Sequence, residues 1–160
     1  MTSDPQIHYR RATMDDARLL FEWANDPDVR AASFSSEPIP WEDHLSWLAR
    51  RIDDDAHRLL VFSVNNKNIG LVRLMFVGER IILSYLIDKN YRGQGYGSRV
   101  IKSAVEFLIT EGLSKAIHAY VKVGNEKSMN AILKAGFTSL ELETVDGIAA
   151  YHLILPNDHA

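Results

Sequence analysis

Apolar and polar positions change period several times along the chain, and each change marks an element. Ile7 to Arg11 reads as a short first strand. Thr13 then reads as a helix cap with Asp16 three residues on, followed by Ala17, Leu20, Phe21 and Ala24 on one helical face. Asp26-Pro27 restarts a helix, with Asp as cap and Pro at the first helical position, where a backbone N–H would go unbonded anyway. Ser35 to Pro40 is a loop. After it Trp41, Leu45, Leu48 and Ile52 recur at spacings of 4, 3 and 4, the stripe of an amphipathic helix.

From Leu59 the pattern becomes that of strands. Leu59–Val64 is a continuous apolar run, Asn65-Asn66-Lys67-Asn68 a turn, and Ile69–Val77 a second run. Gly78-Glu79 turns the chain into a third strand, Arg80–Ile87, and the three predict an antiparallel meander. A long helix is expected from about Ser98 to Glu111, with Val100, Ile101, Ala104, Val105, Leu108 and Ile109 as its apolar stripe. Ala116–Val121 reads as a strand, and Asn125 caps a helix with Met129, Ile132 and Leu133 inward, stopped at Gly136. Two last strands, near Thr138–Val145 and Ile148–Leu155, meet at the hairpin signal Asp146-Gly147. The crossover from Arg80–Ile87 through the long helix to Ala116–Val121 predicts two parallel, neighbouring strands. With no internal repeat and no linker, one domain over residues 1–160 is expected, of mixed α/β (α+β) class.

Composition works mainly by exclusion. The 160 residues are 46% hydrophobic and 24% charged, which suits a globular core. Against 21 Asp+Glu stand 18 Lys+Arg, a net charge of -3, so nucleic acid is not the expected partner. The absence of cysteine excludes disulfides, thiol nucleophiles and thiolate metal sites, and no other feature calls for a metal. No apolar run approaches the ~18 residues needed to cross a bilayer. The start, Met1-Thr2-Ser3-Asp4-Pro5-Gln6, lacks the basic and apolar regions of a secretion signal, so no membrane association and a cytoplasmic location are the expectation.

The chemistry concentrates in one turn. Arg92-Gly93-Gln94-Gly95-Tyr96-Gly97 follows the third meander strand and leads into the long helix. Glycines at alternate positions leave backbone N–H groups uncovered, and a helix N-terminus favours an anion, so the turn suits phosphate oxygens, with Arg92 as a fixed charge beside them. The segment is not a Walker loop, since no Lys-Ser/Thr pair follows, and its preceding strand belongs to an antiparallel meander rather than a dinucleotide-binding unit.

The turn matches the Arg/Gln-x-x-Gly-x-Gly/Ala signature of the GCN5-related N-acetyltransferase (GNAT) superfamily. Asn125-Glu126-Lys127-Ser128, opening a helix that ends at Ala135-Gly136-Phe137, matches the second half of the family pattern. The chain therefore resembles that superfamily over nearly its whole length. The resemblance implies a mixed, mostly antiparallel seven-stranded sheet with helices on both faces, splayed between strands four and five. It also implies acetyl-CoA as co-substrate, its pyrophosphate on Gly93, Gln94, Gly95, Tyr96, Gly97 and Ser98. Tyr85, Leu86 and Ile87 would form a bulged strand edge that pairs with the pantetheine arm, one freed N–H polarising the thioester carbonyl. Asn125 and Ser128 would complete the donor side.

Direct transfer needs a group to accept the amine proton and one to stabilise or protonate the leaving thiolate. Many family members supply a tyrosine seven residues past the Asn; here that position is Ile132. Ser128 is the replacement candidate, because Asn-x-x-Ser resembles the ribosomal-protein N-terminal acetyltransferases, although Asn125 and Ser128 equally suit a simple helix cap. For the base, Tyr85 and Ser84 on the cleft strand, His118 and Tyr120 on the next strand, and Glu37 in the loop before Pro38 are the candidates.

The acceptor is expected between the N-terminal helices. Trp23-Ala24-Asn25-Asp26-Pro27-Asp28-Val29-Arg30 and His44-Leu45-Ser46-Trp47 resemble the N-acetyltransferases acting on UDP-linked 4-amino sugars in pseudaminic acid biosynthesis. On that resemblance Arg30 and His44 would meet nucleotide phosphates, Trp41 or Trp47 would stack on a base or sugar, and Asn25 would bind hydroxyls. The same residues also suit core filling, capping and ion pairing. A protein N-terminus, another small amine, or a non-catalytic acetyl-CoA-binding module are the alternatives, in a monomer or in a homodimer paired through its C-terminal strands.

Overall fold

In the computed structural model, which describes residues 5–156, the chain runs β1 (Ile7–Arg11), α1 (Ala17–Ala24), α2 (Pro27–Ala32), α3 (Trp41–Ile52), β2 (His57–Val64), β3 (Lys67–Val77), β4 (Arg80–Ile87), α4 (Tyr96–Thr110), β5 (Ala116–Lys122), α5 (Glu126–Lys134), β6 (Thr138–Val145) and β7 (Ile148–Leu155). The expected domain limits and the leader reading extend past these residues: 1–4 and 157–160 lie outside the described part. All seven strands form one sheet in the order β1-β2-β3-β4-β5-β7-β6. Every neighbouring pair is antiparallel except β4 and β5, which run parallel.

Turn chemistry sets the strand registers. Asn65 and Asn66 have φ of 52° and 64°, and Asp146 and Gly147 have 50° and 79°, the doubly left-handed turn whose twist matches flanking strands. The Asp146-Gly147 turn closes directly on the Val145–Ile148 pair. The Thr13–Asp16 capping box is present on a 3-10 turn that enters α1, and Asp26 caps α2 with Pro27 at its first turn.

The sheet has two cores. On one face α4 and α5 pack on alternate residues of the strands, among them Leu74, Ile81, Leu83, Ile117, Ala119 and Leu153, with Val100, Ile101, Ala104 and Leu108 of α4 buried against them. On the other face α1 and α3 cover β2 and β3 through Leu20, Trp23, Leu48, Leu59, Val61 and Leu71. Helices on both faces of a splayed, mixed sheet are thus the observed architecture. β2 and β3 each begin two residues earlier than expected, with Lys67 and Asn68 in β3 rather than in the turn, and two further differences bear on the site. The long helix begins at Tyr96, within the glycine turn, because the left-handed Gly95 (φ 84°) already serves as its cap. No register shift marks Tyr85 to Ile87: β4 pairs evenly with β3 from Arg80 to Ile87, and the shifts lie at Phe62/Ser63 and Ser139/Glu141.

Candidate active site

The cleft arises where a strand pair comes apart. β4 and β5 pair at Arg80–Ala116, Ile81–Ile117 and Ile82–His118, and nowhere beyond. Past Ile82, β4 keeps its β3 partner but loses the one on its other side. Its N–H and C=O groups there are available to an extended ligand, so no bulge is needed to free them. A cavity of about 1530 Å³ opens at this gap, lined by β4 from Leu83 to Ile87, the glycine turn, the first turns of α4 and α5, α2, and Trp47 of α3.

The donor half is a cradle of backbone. Gly93 and Gly95 have φ of 75° and 84°, are exposed, and carry no side chain over the turn. They stand at the N-terminus of the fifteen-residue α4, where unbonded N–H groups favour an anion. These residues fit a pyrophosphate. Gly97 is glycine for a different reason: its Cβ would lie 3.3 Å from Ala131 Cβ and 3.5 Å from the Tyr85 hydroxyl. A missing side chain here lets α4, α5 and β4 meet.

Arg92 does not stand free beside the cradle. Its Nε donates to Ile87 O at 2.9 Å, and its guanidinium pairs with Asp26 (3.2 Å) and Asp28 (3.0 Å) at the start of α2. The side chain fastens the turn to α2. Desolvation opposes ionisation of Asp26, but the Arg92 charge and the α2 backbone N–H groups outweigh it and hold its carboxyl below the usual range.

Tyr85 and Ser128 meet at the inner end of the gap. Tyr85 projects from β4 toward α4 and α5, half-buried, with its hydroxyl beside Gly97. Burial pushes its phenol pKa up, with a hydrogen bond to Ser128 pulling the other way. The phenol is therefore protonated at neutral pH, a proton donor rather than a base. Ser128 sits in the first turn of α5, its N–H bonded at 3.3 Å to Asn125 Oδ1, so Asn125 is the helix cap and the Ser128 hydroxyl remains for the cleft. Ile132, where many relatives carry tyrosine, is buried in the core.

Of the other expected residues, Arg30, His44 and Trp47 lie on the cleft lining, while His118, Glu37 and Asn25 do not. His118 is buried, and its Nδ1 lies 2.7 Å from His152 Nε2, while His152 Nδ1 bonds Glu143. Desolvation, then the neighbouring His152 and Arg80, lowers the His118 pKa. It is absent from the cleft lining, as is the exposed Glu37, whose carbonyl accepts from Arg30. Asn25 clips the α2–α3 loop through both amide atoms, to Ile39 N (2.8 Å) and Ile39 O (3.0 Å). Arg30 donates to the carbonyls of Ala24, Ser35 and Glu37 and to Ser33 Oγ, which holds that loop in shape. His44 is buried between α1 and α3 with Nε2 3.0 Å from Ala17 O, and desolvation lowers its pKa. Trp47 faces the cleft with Arg73 lying over its ring.

Three features escaped the sequence reading: Arg73, the Trp23 Nε1 to Asp88 bond (2.8 Å) that ties α1 to the glycine turn, and the Lys122 Nζ to Ala31 O bond (2.8 Å) that ties β5 to α2. Each joins residues far apart in the chain, so no local pattern signals it. Glu141, Glu143 and His152 also offer ligand atoms within 4.8 Å of one another, but both His152 nitrogens are already engaged.

Residues 6–138 match the family model described as the acetyltransferase (GNAT) domain. The chain belongs to the GNAT acetyltransferase family. An acetyltransferase of Pectobacterium atrosepticum is 31% identical over 110 residues, covering 68% of this chain and 74% of the relative. The spermidine N(1)-acetyltransferase of Escherichia coli K12 is 27% identical over 142 residues, 86% of this chain and 76% of that one. In fold, the chain resembles the spermidine N-acetyltransferase of Vibrio cholerae in complex with CoA and spermine (TM-score 0.85, 20% identity, 96% and 97% of the two chains). It also resembles the aminoglycoside acetyltransferase AAC(6')-Ib in complex with ribostamycin and coenzyme A (TM-score 0.84, 16% identity, 96% and 94%). The GNAT chain is thus an acetyl-CoA-dependent N-acetyltransferase with an open, mixed sheet as its frame. Among the described residues no helix is long and apolar enough to cross a membrane.

Proposed function

We propose that this single acetyltransferase domain passes the acetyl group directly to the primary amine of a small acceptor, with Tyr85 and Ser128 serving the leaving thiolate. The observation that carries the reading is the meeting of the Tyr85 phenol with Ser128 beside Gly97, where the unpaired β4 edge reaches the N-termini of α4 and α5. The amine nitrogen attacks the thioester carbonyl carbon, and the carbon–sulfur bond breaks. The amine gives up one proton, and the thiolate takes one from the Tyr85–Ser128 pair, which water refills. A phenol held protonated by burial suits that task, and the two helix N-termini favour the developing negative charge. The amine's proton leaves to water through the cleft mouth, since His118 and Glu37 stand away from the lining.

The acceptor enters from the side of α2, α3 and the outer part of β4. A nucleotide-linked 4-amino sugar is the acceptor we propose there. Its support is the tryptophan- and arginine-bearing segment from Trp23 to Trp47, with Trp47 and Arg73 rather than Arg30 and His44 left to meet it. The spermine and ribostamycin complexes of the fold neighbours show small amines as the ligands of such proteins.

The test is release of CoA from acetyl-CoA across a panel of amines, including UDP-amino sugars, polyamines and short peptides. Acceptor-dependent release is the expected result. Tight acetyl-CoA binding with no release by any amine would instead mark a non-catalytic binding module.

A further inference from the structure

Arg73 is a cation of the cleft lining with no acidic partner among the described residues. Arg73 of β3 lies directly across from Ser84 of β4, on the sheet face that α1 and α3 cover. Its Nε lies 3.2 Å from Ser84 Oγ, and its guanidinium carbon lies 5.5 Å from the centre of the Trp47 ring. Among the described residues no carboxylate pairs with it, although Arg10, Arg11 and Arg92 each have an acidic partner. The side chain is exposed to solvent and yet surrounded by protein, the situation of a group on the floor of an open cleft. That setting depresses its pKa, and the charges that act on it, Arg30 and Arg51, are both positive.

The other charged groups on this side of the cleft do not cancel the surplus. Asp28 is bound to Arg92, and Lys122 is bound to Ala31 O. Arg50 adds a further cation with no acidic partner among the described residues, and Asp43 is the remaining carboxylate of the lining. The bond to Ser84 and the contact with Trp47 hold the guanidinium plane while its two terminal nitrogens have no protein acceptor among the described residues. A fork held flat with both prongs free is the geometry that grips a carboxylate or phosphate through two parallel hydrogen bonds.

We propose that Arg73 recognises an anionic group, a carboxylate or a phosphate, on the amine acceptor, so that polycationic amines are poor acceptors for this enzyme. The proposal rests on the reading that the α2–α3 side of the cleft takes the acceptor. It names a substrate class opposite in charge to the spermidine and spermine of the relatives.

The experiment is CoA release with amines matched in length: an ω-amino acid, the corresponding amino alcohol and the corresponding diamine. A UDP-amino sugar beside the same free amino sugar separates a phosphate from a carboxylate as the anion. On the wild-type protein, the anionic member of one series should exceed its neutral partner in kcat/KM by about tenfold or more. Arg73→Gln should abolish that preference by raising KM for the anionic amine, with little change in kcat and none in kcat/KM for the neutral one. Arg73→Lys, which keeps the charge and loses the fork, should recover only part.

Equal or better turnover of neutral amines or diamines by the wild-type protein would overturn the inference. So would an Arg73→Gln variant that slows every amine alike, because a structural role predicts that. Should Arg73→Gln not fold, the wild-type series alone decides. Release with none of these amines would defeat the acetyl-transfer reading and this inference together, whereas release with the neutral amine preferred defeats this inference alone.

Discussion

Tyr85 and Gly97 illustrate how one position sets what another can do. A Cβ at Gly97 would stand 3.3 Å from Ala131 Cβ, tighter than packed atoms readily allow, and in ordinary contact with the Tyr85 ring and hydroxyl at 3.4 and 3.5 Å. Gly97→Ala should therefore push α5, and Ser128 with it, by a few tenths of an ångström relative to the phenol, lowering kcat with little effect on the melting temperature. Stopped-flow or steady-state CoA release, paired with a thermal melt, checks both halves of that expectation. Tyr85→Phe removes the proton and keeps the packing, and should lower kcat by roughly 100-fold, within the usual range for a lost general acid. If Ser128→Ala leaves turnover near wild type, the serine hydroxyl takes no part in transfer and Tyr85 acts alone. At this scale the sequence was half legible. Ile132 announced a missing tyrosine, and Asn-x-x-Ser marked Ser128. What it did not disclose is that the phenol of β4 takes up the space behind the third glycine, because that meeting joins residues from three elements.

Among the elements, α2 is held least by the core. It has six residues and no buried side chain, and beyond the bonds of Arg30 to its flanking segments it is attached by Arg92 to Asp26 and Asp28 at one end and Lys122 to Ala31 O at the other. α4, by contrast, buries eight of its fifteen residues. Backbone amides of α2 should accordingly exchange with deuterium far faster than those of α4, and Arg92→Met should speed α2 exchange while leaving α4 unchanged. Exposed ion pairs of this kind weaken with salt, so raising ionic strength should act on α2 in the same direction. Most element limits could be read from caps and turns: Thr13, Asp26, Asn125, Asn65-Asn66 and Asp146-Gly147 all do locally what their side chains favour. The start of α4 could not, since Gly95 in the left-handed region is both turn and cap. The even β3–β4 register was likewise hidden, because where a strand loses its neighbour is decided by the neighbour.

For the molecule as a whole, burial of ionisable groups fixes how stability responds to acid. His44 and His118 both have pKa values pushed down by desolvation, so they remain neutral in the fold at a pH where the unfolded chain already takes up protons. Stability is unaffected by them above the ordinary histidine range and falls as pH drops from about 6.5 toward their folded values. Asp16 behaves at lower pH: its two 2.8 Å bonds from Arg10 hold its carboxyl below the usual carboxylate range. Its contribution is complete above the unfolded carboxylate pKa and is lost as pH falls through the folded one. Melting temperatures should thus be level near neutrality and decline below about pH 6.5, with a shallower decline for His44→Gln, which keeps a hydrogen-bond donor and cannot titrate. The global topology was open to sequence reasoning because its rules are topological: a meander, one crossover and a hairpin leave few arrangements. The face-to-face relation of Arg73 with Trp47 was not, since it depends on how α3 lies across β3.

Because α2 is fastened to the donor turn by Arg92 and to the far strand by Lys122, the two substrates share one wall. Whatever effect one has on the affinity of the other must then, by thermodynamic linkage, be returned by the same factor. If CoA orders the turn that holds Arg92, it prepays part of the ordering that the acceptor side needs. An acceptor analogue should bind more tightly with CoA present, CoA should bind more tightly with the analogue present, and calorimetry should return the same factor for both. Cutting the Arg92 tether should bring that factor to one.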